Sequence, residues 1–256
     1  MYVNCRSLWL PKAGRSAEEY EDAYWPRRDG RYPLEDGVRC AVADGATESS
    51  FAQRWARQLV ITYCNPSTPG PADAAGFRAA LDCQGASWVR HIYAKPLAWN
   101  FQVKAQRGAF ATLLGITFTG CENGERRWDA VAVGDSCLFQ ARAGELICSW
   151  PQLASGDFGF HPQLLCSIAA NNERVWAGLD GLTTSGTWAA GDLFLLMTDA
   201  LAKWFVTAQE NKHRPWETLK EVAASASFSG WIEERRAGQE MPNDDVTLMI
   251  ISLEET

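Results

Sequence analysis

The sequence lacks most of the features by which zinc sites and disulfide-stapled folds are recognised. Its eight cysteines are spread along 256 residues, and no two lie closer than eleven positions. This spacing excludes a CxxC motif and a compact disulfide framework, so we expect reduced, mostly buried thiols. The histidines His91, His161 and His213 are scattered, and no HExxH motif is present. A zinc hydrolase of that type is therefore excluded.

Clusters of positive charge and long apolar runs are also missing. The chain has 24 Lys and Arg against 31 Asp and Glu, a formal net charge of −7, and no basic cluster exceeds a pair. The acidic balance argues against a nucleic-acid groove. No apolar run approaches the roughly 18 residues of a membrane span, and residues 1–12 lack the pattern of a signal peptide. We therefore expect a cytoplasmic monomer that binds neither nucleic acid nor membrane.

The sequence does contain many apolar runs of strand length. Its 256 residues fit a single domain, residues 1–256. Short apolar runs separated by turn residues indicate antiparallel strands. They cover residues 2–11, 109–118, 128–133, 137–141, 146–150, 193–197 and 246–253. Helical spacing predicts one or two helices over residues 72–104, although Gly85 and Pro96 interrupt the pattern. Residues 26–36 are interpreted as a hairpin connection, and residues 178–186 as an exposed, Gly-rich one.

The stretch around Asp44 organises the rest of the chain. Val38, Cys40 and Val42 alternate with smaller or polar residues, which is the period-two pattern of a strand, and Asp44-Gly45 follows as a turn. An amphipathic helix is predicted next. Its apolar residues recur every four positions, at Phe51, Trp55, Leu59 and Tyr63.

The start of that predicted helix carries polar residues that suit a helix N-terminus. Thr47 or Ser49 is a candidate cap, because a side-chain oxygen there accepts a backbone N–H bond. Glu48 falls in the first turn, where negative charge is favoured. Asp199 repeats the arrangement, since it follows a continuous apolar strand and precedes a second helical pattern.

Acidic residues occupy comparable places on several predicted strands. They are Glu21-Asp22 inside a strand, Asp44 and Asp199 at strand ends, and Asp244-Asp245 at a strand start. Antiparallel sheets bring such ends together, and the carboxylates then repel one another unless a counter-charge is present. Oxygen ligands without neighbouring His or Cys favour Mg²⁺ or Mn²⁺ over Zn²⁺. Any single acid is equally compatible with a solvated turn, which is our interpretation of Asp180.

In their order along the chain these motifs resemble those of the metal-dependent protein phosphatases of the PP2C family. The likeness extends from about Arg15 to Leu253 and is greater to divergent bacterial-type members. The matching segments are Glu21-Asp22-Ala23, Val42-Ala43-Asp44-Gly45, residues 108–113 with Thr112, Val133-Gly134-Asp135-Ser136, Gly191-Asp192 through Thr198-Asp199, and Asp244-Asp245-Val246-Thr247.

The resemblance implies an α+β fold, a four-layer α-β-β-α sandwich of two antiparallel sheets flanked by helices. It also implies a signalling serine/threonine phosphoprotein phosphatase in which two Mn²⁺ or Mg²⁺ ions activate a water molecule. Asp44, Asp199 and Asp244 would be the catalytic residues. The implied metal roles are Asp44 bridging both ions, Asp199 and Asp244 on one, Glu21 and the Gly45 carbonyl on the other, Asp22 acting through water, and Asp135 orienting water or binding a weaker third ion.

Two departures from the family pattern bear on activity. Ala17 stands where the phosphate-binding Arg is expected, so Arg15 or Lys12 would have to bind the substrate. Ala46 and Thr47 stand where many members have a histidine, so another group or water must protonate the leaving group. A non-catalytic interaction module of the same fold is therefore the main alternative. A hydrolase of small phosphorylated molecules is a more distant one.

Overall fold

The computed structural model describes residues 1–35, 37–46, 51–94, 96, 99–120, 125–159 and 162–255, with the backbone alone at 100 and 101. Thirteen strands and seven α-helices lie within these ranges. Thr47, Glu48 and Ser49, the candidate cap and first turn of the first helix, lie outside the described residues. That helix begins after Phe51, whose φ of 68° is left-handed.

Two large antiparallel sheets form the centre of the molecule. The first contains β1 (Tyr2–Leu10), β3 (Gly30–Pro33), β8 (Cys137–Arg142), β9 (Glu145–Trp150), β12 (Leu193–Met197) and β13 (Val246–Glu254), in the order β3-β1-β13-β12-β8-β9. The second contains β2 (Ala23–Trp25), β4 (Val38–Ala43), β6 (Leu113–Gly120), β7 (Arg126–Val133) and β11 (Thr183–Thr187), in the order β11-β7-β6-β4-β2. A short pair joins β5 (Phe110–Ala111) to β10 (Leu165–Cys166).

The helices lie on the outer faces of these sheets. Those on the five-stranded side are α1 (Ala52–Cys64), α2 (Ala74–Ile92), α3 (Trp99–Arg107) and the short α4 (Glu173–Ala177). Those on the six-stranded side are α5 (Asp199–Glu210), α6 (Pro215–Ala224) and α7 (Phe228–Ala237). Among the described helices, none is long and apolar enough to cross a membrane.

Three apolar layers separate the four layers of secondary structure. Between the sheets, the rings of Phe118 and Trp128 meet Phe194 edge-on, with centroids 4.9 and 6.0 Å apart. Outside the six-stranded sheet, Phe139 stacks on Phe205 with centroids 3.8 Å apart. Such aromatic pairs stabilise a core beyond the area they bury. The α-β-β-α sandwich expected from the resemblance is therefore confirmed.

Several local predictions were wrong. Glu21 and Asp22 precede β2 rather than lying inside a strand. The connection predicted at residues 26–36 does join two antiparallel partners, β2 and β4, but it is more than a turn, because it contains β3, which pairs with β1 in the other sheet. Residues 178–186 include four of the five residues of β11, which is an edge strand on β7. Gly85 lies inside α2, where a Cβ would collide with the Ser167 carbonyl oxygen, so close packing and not a helix break accounts for the glycine.

Candidate metal centre

The predicted acids converge where the ends of the two sheets meet. Asp44 follows β4, and Asp199 is the first residue of α5 directly after β12 and Thr198. Asp244 precedes β13, while Asp135 lies in the turn between β7 and β8. Each strand end is brought here by antiparallel pairing, as the sequence pattern predicted for Asp44 and Asp199. The assignment of these residues as metal ligands remains a prediction.

Asp44 is positioned by two hydrogen bonds to Thr112, one to its side chain and one from its backbone. The Asp44 N–H donates to Thr112 Oγ1 at 2.8 Å, and the Thr112 N–H donates to the Asp44 carbonyl at 2.8 Å. Thr112 Oγ1 also lies 3.0 Å from Ser136 Oγ. A Cβ at Gly134, whose φ is +114°, would fall 2.6 Å from Thr112 Cγ2. The Thr112, Gly134 and Ser136 motif positions thus form one support behind Asp44.

Gly45 is pressed against the segment that carries Glu21. A Cβ at Gly45 would lie 2.7 Å from the Glu21 carbonyl oxygen and 3.0 Å from the Ala52 carbonyl carbon. Gly45 also forms an isolated antiparallel bridge with Ala111. Only glycine allows this approach, which brings the Glu21 segment and the Asp44-Gly45 turn together.

Asp22 is buried, and threonine hydroxyls hold one of its two oxygens. Thr198 Oγ1 donates to Asp22 Oδ2 at 2.9 Å, and Thr247 Oγ1 donates to the same oxygen at 2.7 Å. Tyr20 Oη in turn bonds Thr247 Oγ1. Within the described part of the chain, Asp22 Oδ1 is buried and has no hydrogen-bond partner. An oxygen of this kind is available to a further ligand.

The aspartates of the cluster raise one another's pKa values, because they are buried close together. Burial raises the pKa of Asp44, and the charges of Asp22, Asp199 and Asp244 raise it further. Burial likewise raises the pKa of Asp22 to about 8, opposed by the Thr247 bond. The pKa of Asp199 rises to about 7 through burial and then the charges of Asp135 and Asp244. The folded chain therefore holds carboxyl groups that repel one another when ionised, and either protonation or a bound cation relieves that repulsion.

Asp135 belongs to the same cluster. Burial raises its pKa, its own backbone N–H lowers it, and the charge of Asp244 raises it. Its Oδ1 is the second buried carboxylate oxygen of the described cluster without a hydrogen-bond partner. Asp135 is 7 % exposed, so the alternative of a solvated turn residue does not apply to it. Asp180, by contrast, is exposed in a 3₁₀ turn, as predicted.

A lysine enters the cluster from the connection after β1. Lys12 Nζ lies 3.4 Å from Glu21 Oε2 and 3.3 Å from Asp244 Oδ1. Burial by itself would lower the pKa of Lys12, but Asp244, Asp245 and Glu21 outweigh it and the pKa is raised. Lys12 is therefore a protonated cation between two of the predicted metal-binding acids.

Asp245 organises the backbone around that lysine. One of its oxygens accepts the Lys12 N–H at 2.8 Å, and the other accepts the Glu21 N–H at 2.6 Å. The side chain is buried, and a neutral amide could accept only one of these two bonds. The sequence shows Asp245 in the closing motif but indicates no role for it. Its clamp joins residues more than 220 positions apart, which no local pattern reveals.

The donors fit a hard divalent cation in their chemistry. All are carboxylate or carbonyl oxygens, and two buried carboxylate oxygens, on Asp22 and Asp135, have no other partner in the described structure. Among the residues that the structure describes, no three His, Cys, Asp or Glu side chains already stand in a closed ligand geometry. The cluster thus supplies ligands of suitable chemistry, and Lys12 lies between two of them, Glu21 and Asp244.

Arg15, the candidate substrate-binding residue, lies at the edge of this cluster. A cavity of about 290 Å³ is lined by Lys12, Arg15, Glu19 and Glu21. Arg15 Nη1 is 2.6 Å from Glu19 Oε1, and both side chains are about half exposed. The structure thus places Arg15 and Lys12 on the same opening beside Glu21. Its role in substrate binding stays a prediction.

Solved structures with a similar fold include phosphatases. No protein-family model and no curated protein matches the sequence. The Mycobacterium tuberculosis serine/threonine phosphatase PstP/Ppp matches over 100 % of both chains, with 19 % identity and a TM-score of 0.62. The catalytic domain of PstP in complex with two manganese ions matches over 99 % of both chains, with 17 % identity and a TM-score of 0.57.

A third similar structure comes from another genus. The S. agalactiae serine/threonine phosphatase is 14 % identical, with a TM-score of 0.56, over 98 % of this chain and 100 % of the other. These likenesses span the whole described architecture, including both sheets and both helical layers. The chain therefore has the fold of the PP2C-type serine/threonine phosphatases.

Proposed function

We propose that this chain is a divergent PP2C-type phosphatase that hydrolyses phosphoserine and phosphothreonine in proteins and depends on Mn²⁺ or Mg²⁺. The observation that carries the proposal is the convergence of Asp22, Asp44, Asp135, Asp199 and Asp244, with pKa values raised in four of them, where the two sheets meet. Structural cores rarely hold such a group without a cation. A manganese-bearing phosphatase of the same fold supports this assignment.

We also propose a cytoplasmic signalling role as a monomer. The seven cysteines of the described residues are all free thiols, which suits a reducing compartment. The acidic net charge argues against a nucleic-acid partner. Activity on a phosphoprotein is proposed by analogy with the serine/threonine phosphatases of the same fold, and the identity of that phosphoprotein lies outside the proposal.

The residues divide the catalytic work between them. Metal ions held by Asp44, Asp199, Asp244, Glu21 and the Gly45 carbonyl would supply Lewis-acid activation of water and of the phosphoryl group. Thr112 keeps the Asp44 backbone in place through paired hydrogen bonds.

Asp22 and the basic residues have supporting tasks. Thr198 and Thr247 occupy Asp22 Oδ2, so only Oδ1 remains to accept a bond from water within the site. Lys12 and Arg15 line the same opening and would attract the phosphate dianion. No protein nucleophile is required by this arrangement.

The main competing hypothesis is a catalytically weak or inactive protein that uses the fold for interaction. Two observations favour it. Ala17 stands where a phosphate-binding Arg is expected, and Lys12 already pairs with Glu21 and Asp244. Against it, five buried or half-buried aspartates would be retained without a use. A hydrolase of small phosphorylated molecules is compatible with the same centre.

A substrate comparison separates these three functions. The purified protein should release phosphate from phosphoserine and phosphothreonine peptides in Mn²⁺, faster than from a phosphotyrosine peptide or a sugar phosphate. EDTA should abolish release from every substrate. A preference for sugar phosphate would favour the small-molecule hydrolase. Metal binding with no turnover of any substrate would favour the inactive interaction module.

A further inference from the structure

The connection that carries Lys12 is built to hold this residue over the acidic cluster. Arg236 donates through Nη1 to the Pro11 carbonyl at 3.0 Å and through Nη2 to the Asp244 carbonyl. On the other side, the Ala13 N–H donates to Asn243 Oδ1 at 2.7 Å. Together with the Asp245 clamp on the Lys12 N–H, these bonds fix the lysine backbone on both sides. The position of Lys12 is therefore set by the segment that precedes β13.

The lysine side chain joins acids that are predicted to serve different ions. Glu21 belongs to one predicted ion and Asp244 to the other, and Lys12 Nζ lies within 3.4 Å of both. The Lys12 side chain is 16 % exposed and that of Glu21 is 21 % exposed, so water screens this pair only partly. A cation at this point reduces the repulsion between carboxylates just as a metal ion would.

We infer that Lys12 is a built-in counter-cation of the metal-free centre, which divalent ions must displace from Glu21 and Asp244 in order to bind. The inference rests on the proposed metal dependence. It assigns to this chain a lysine that makes the metal-free fold more stable and lowers the affinity for the metal. The two effects have one origin, because the Lys12 ammonium and the metal ions compete for the same two carboxylates, those of Glu21 and Asp244.

The test measures Mn²⁺ binding and thermal unfolding without any substrate. Lys12→Met removes the cation and keeps much of the apolar stem. In EDTA its melting temperature should be lower than that of the parent. Its dissociation constant for Mn²⁺ by calorimetry should be smaller by roughly three- to tenfold, the size expected for two partly screened ion pairs. The deficit in melting temperature should shrink as Mn²⁺ is added.

Two variants serve as controls. Lys12→Arg keeps the charge and should behave like the parent in both measurements. Arg15→Met removes a charge from the same cavity, but Arg15 pairs with Glu19 rather than with the acids of the centre. Its Mn²⁺ affinity should stay within about twofold of the parent, because any wider effect of cavity charge is screened by solvent.

The outcomes separate this inference from the proposed function. Equal Mn²⁺ affinity in the parent and Lys12→Met overturns the inference while metal dependence stands. A melting deficit that Mn²⁺ leaves unchanged also overturns it, since that would reflect packing alone. Tighter Mn²⁺ binding by Lys12→Met in a protein that hydrolyses no phosphoester supports the inference and contradicts the proposed function. Failure of both proteins to bind Mn²⁺ contradicts both.

Discussion

Replacing Asp199 by asparagine should stabilise the metal-free protein while abolishing its metal-dependent turnover. The pKa of Asp199 is raised from 3.8 to about 7, so its ionised form is disfavoured in the folded state. Asparagine is neutral at every pH and retains the oxygen that accepts the Ala200 N–H at 2.6 Å. The substitution therefore removes repulsion without removing the hydrogen bond that starts α5.

The magnitude follows from the size of that pKa shift. Roughly three pKa units at about 1.4 kcal/mol each set a ceiling of about 4 kcal/mol at pH 8. Protonation of neighbouring acids relieves part of the repulsion in the parent, so we expect about half of this, ~2 kcal/mol. For a chain of this size that corresponds to a rise in melting temperature of roughly 4–8 °C.

The pH dependence of this gain gives a second check. A folded-state pKa above the unfolded value contributes stability that is complete below about pH 4 and is lost as the pH rises through about 7. The advantage of Asp199→Asn in EDTA should therefore grow between these limits and level off above them. Melting curves at pH 4.5, 6 and 8 measure it.

Asp180→Asn is the matched control for the same experiment. Asp180 also follows an apolar segment, but it is exposed and belongs to no part of the cluster. Its melting temperature, Mn²⁺ affinity and rate should equal those of the parent. A metal-free Asp199→Asn protein that is no more stable than the parent at pH 8, or equal losses of activity in both variants, would refute the assignment of the centre to the end of β12.

Further predictions concern the supports of the centre. In EDTA the parent should lose stability as the pH rises from about 4 to about 8, because burial raises the pKa of Asp22 to about 8 in the folded state. Saturating Mn²⁺ should reduce this loss. Melting temperatures measured across this pH range, with and without Mn²⁺, test the prediction. Gly134→Ala should lower the free energy of unfolding in urea by about 1–3 kcal/mol, because φ is +114° and the new Cβ would collide with Thr112. Gly156→Ala is the control: the space around Gly156 is open, so its free energy of unfolding should fall by less than about 0.5 kcal/mol. Asp245→Asn should cost about 1–2 kcal/mol in the same assay, since one buried N–H loses its acceptor; an unchanged midpoint would contradict the clamp.

The sequence predicted those parts of the centre that depend on local pattern. Asp44 and Asp199 each follow an apolar strand and precede a helix, and both lie where that arrangement placed them. Strand-length runs likewise predicted β6 to β9 and β12 to within a few residues. In these cases the periodicity of neighbouring side chains already determines which residue lies at the end of a strand.

The remainder depends on contacts between distant segments. Lys12 reaches Asp244 across a separation of 232 residues, and no periodicity near Lys12 indicates this contact. The sequence does not predict the place of β3 in the six-stranded sheet for the same reason, since its partner β1 is separated from it in the chain by β2. The aromatic residues on both sides of Glu21-Asp22 are typical of a strand, so the sequence predicts a strand there. In the structure, strand pairing begins only at Ala23.

The most direct test of a metal-dependent phosphatase is the rate of p-nitrophenyl phosphate hydrolysis as Mn²⁺ is titrated, for the parent and for Asp44→Asn. Asp44 is the residue on which the charges of Asp22, Asp199 and Asp244 converge. The parent should show a saturable rise in rate that EDTA abolishes, and Asp44→Asn should lose at least about a hundredfold in rate, the effect of removing a group that stabilises the transition state. Full activity of the parent in excess EDTA, or an undiminished rate in Asp44→Asn, would contradict the account.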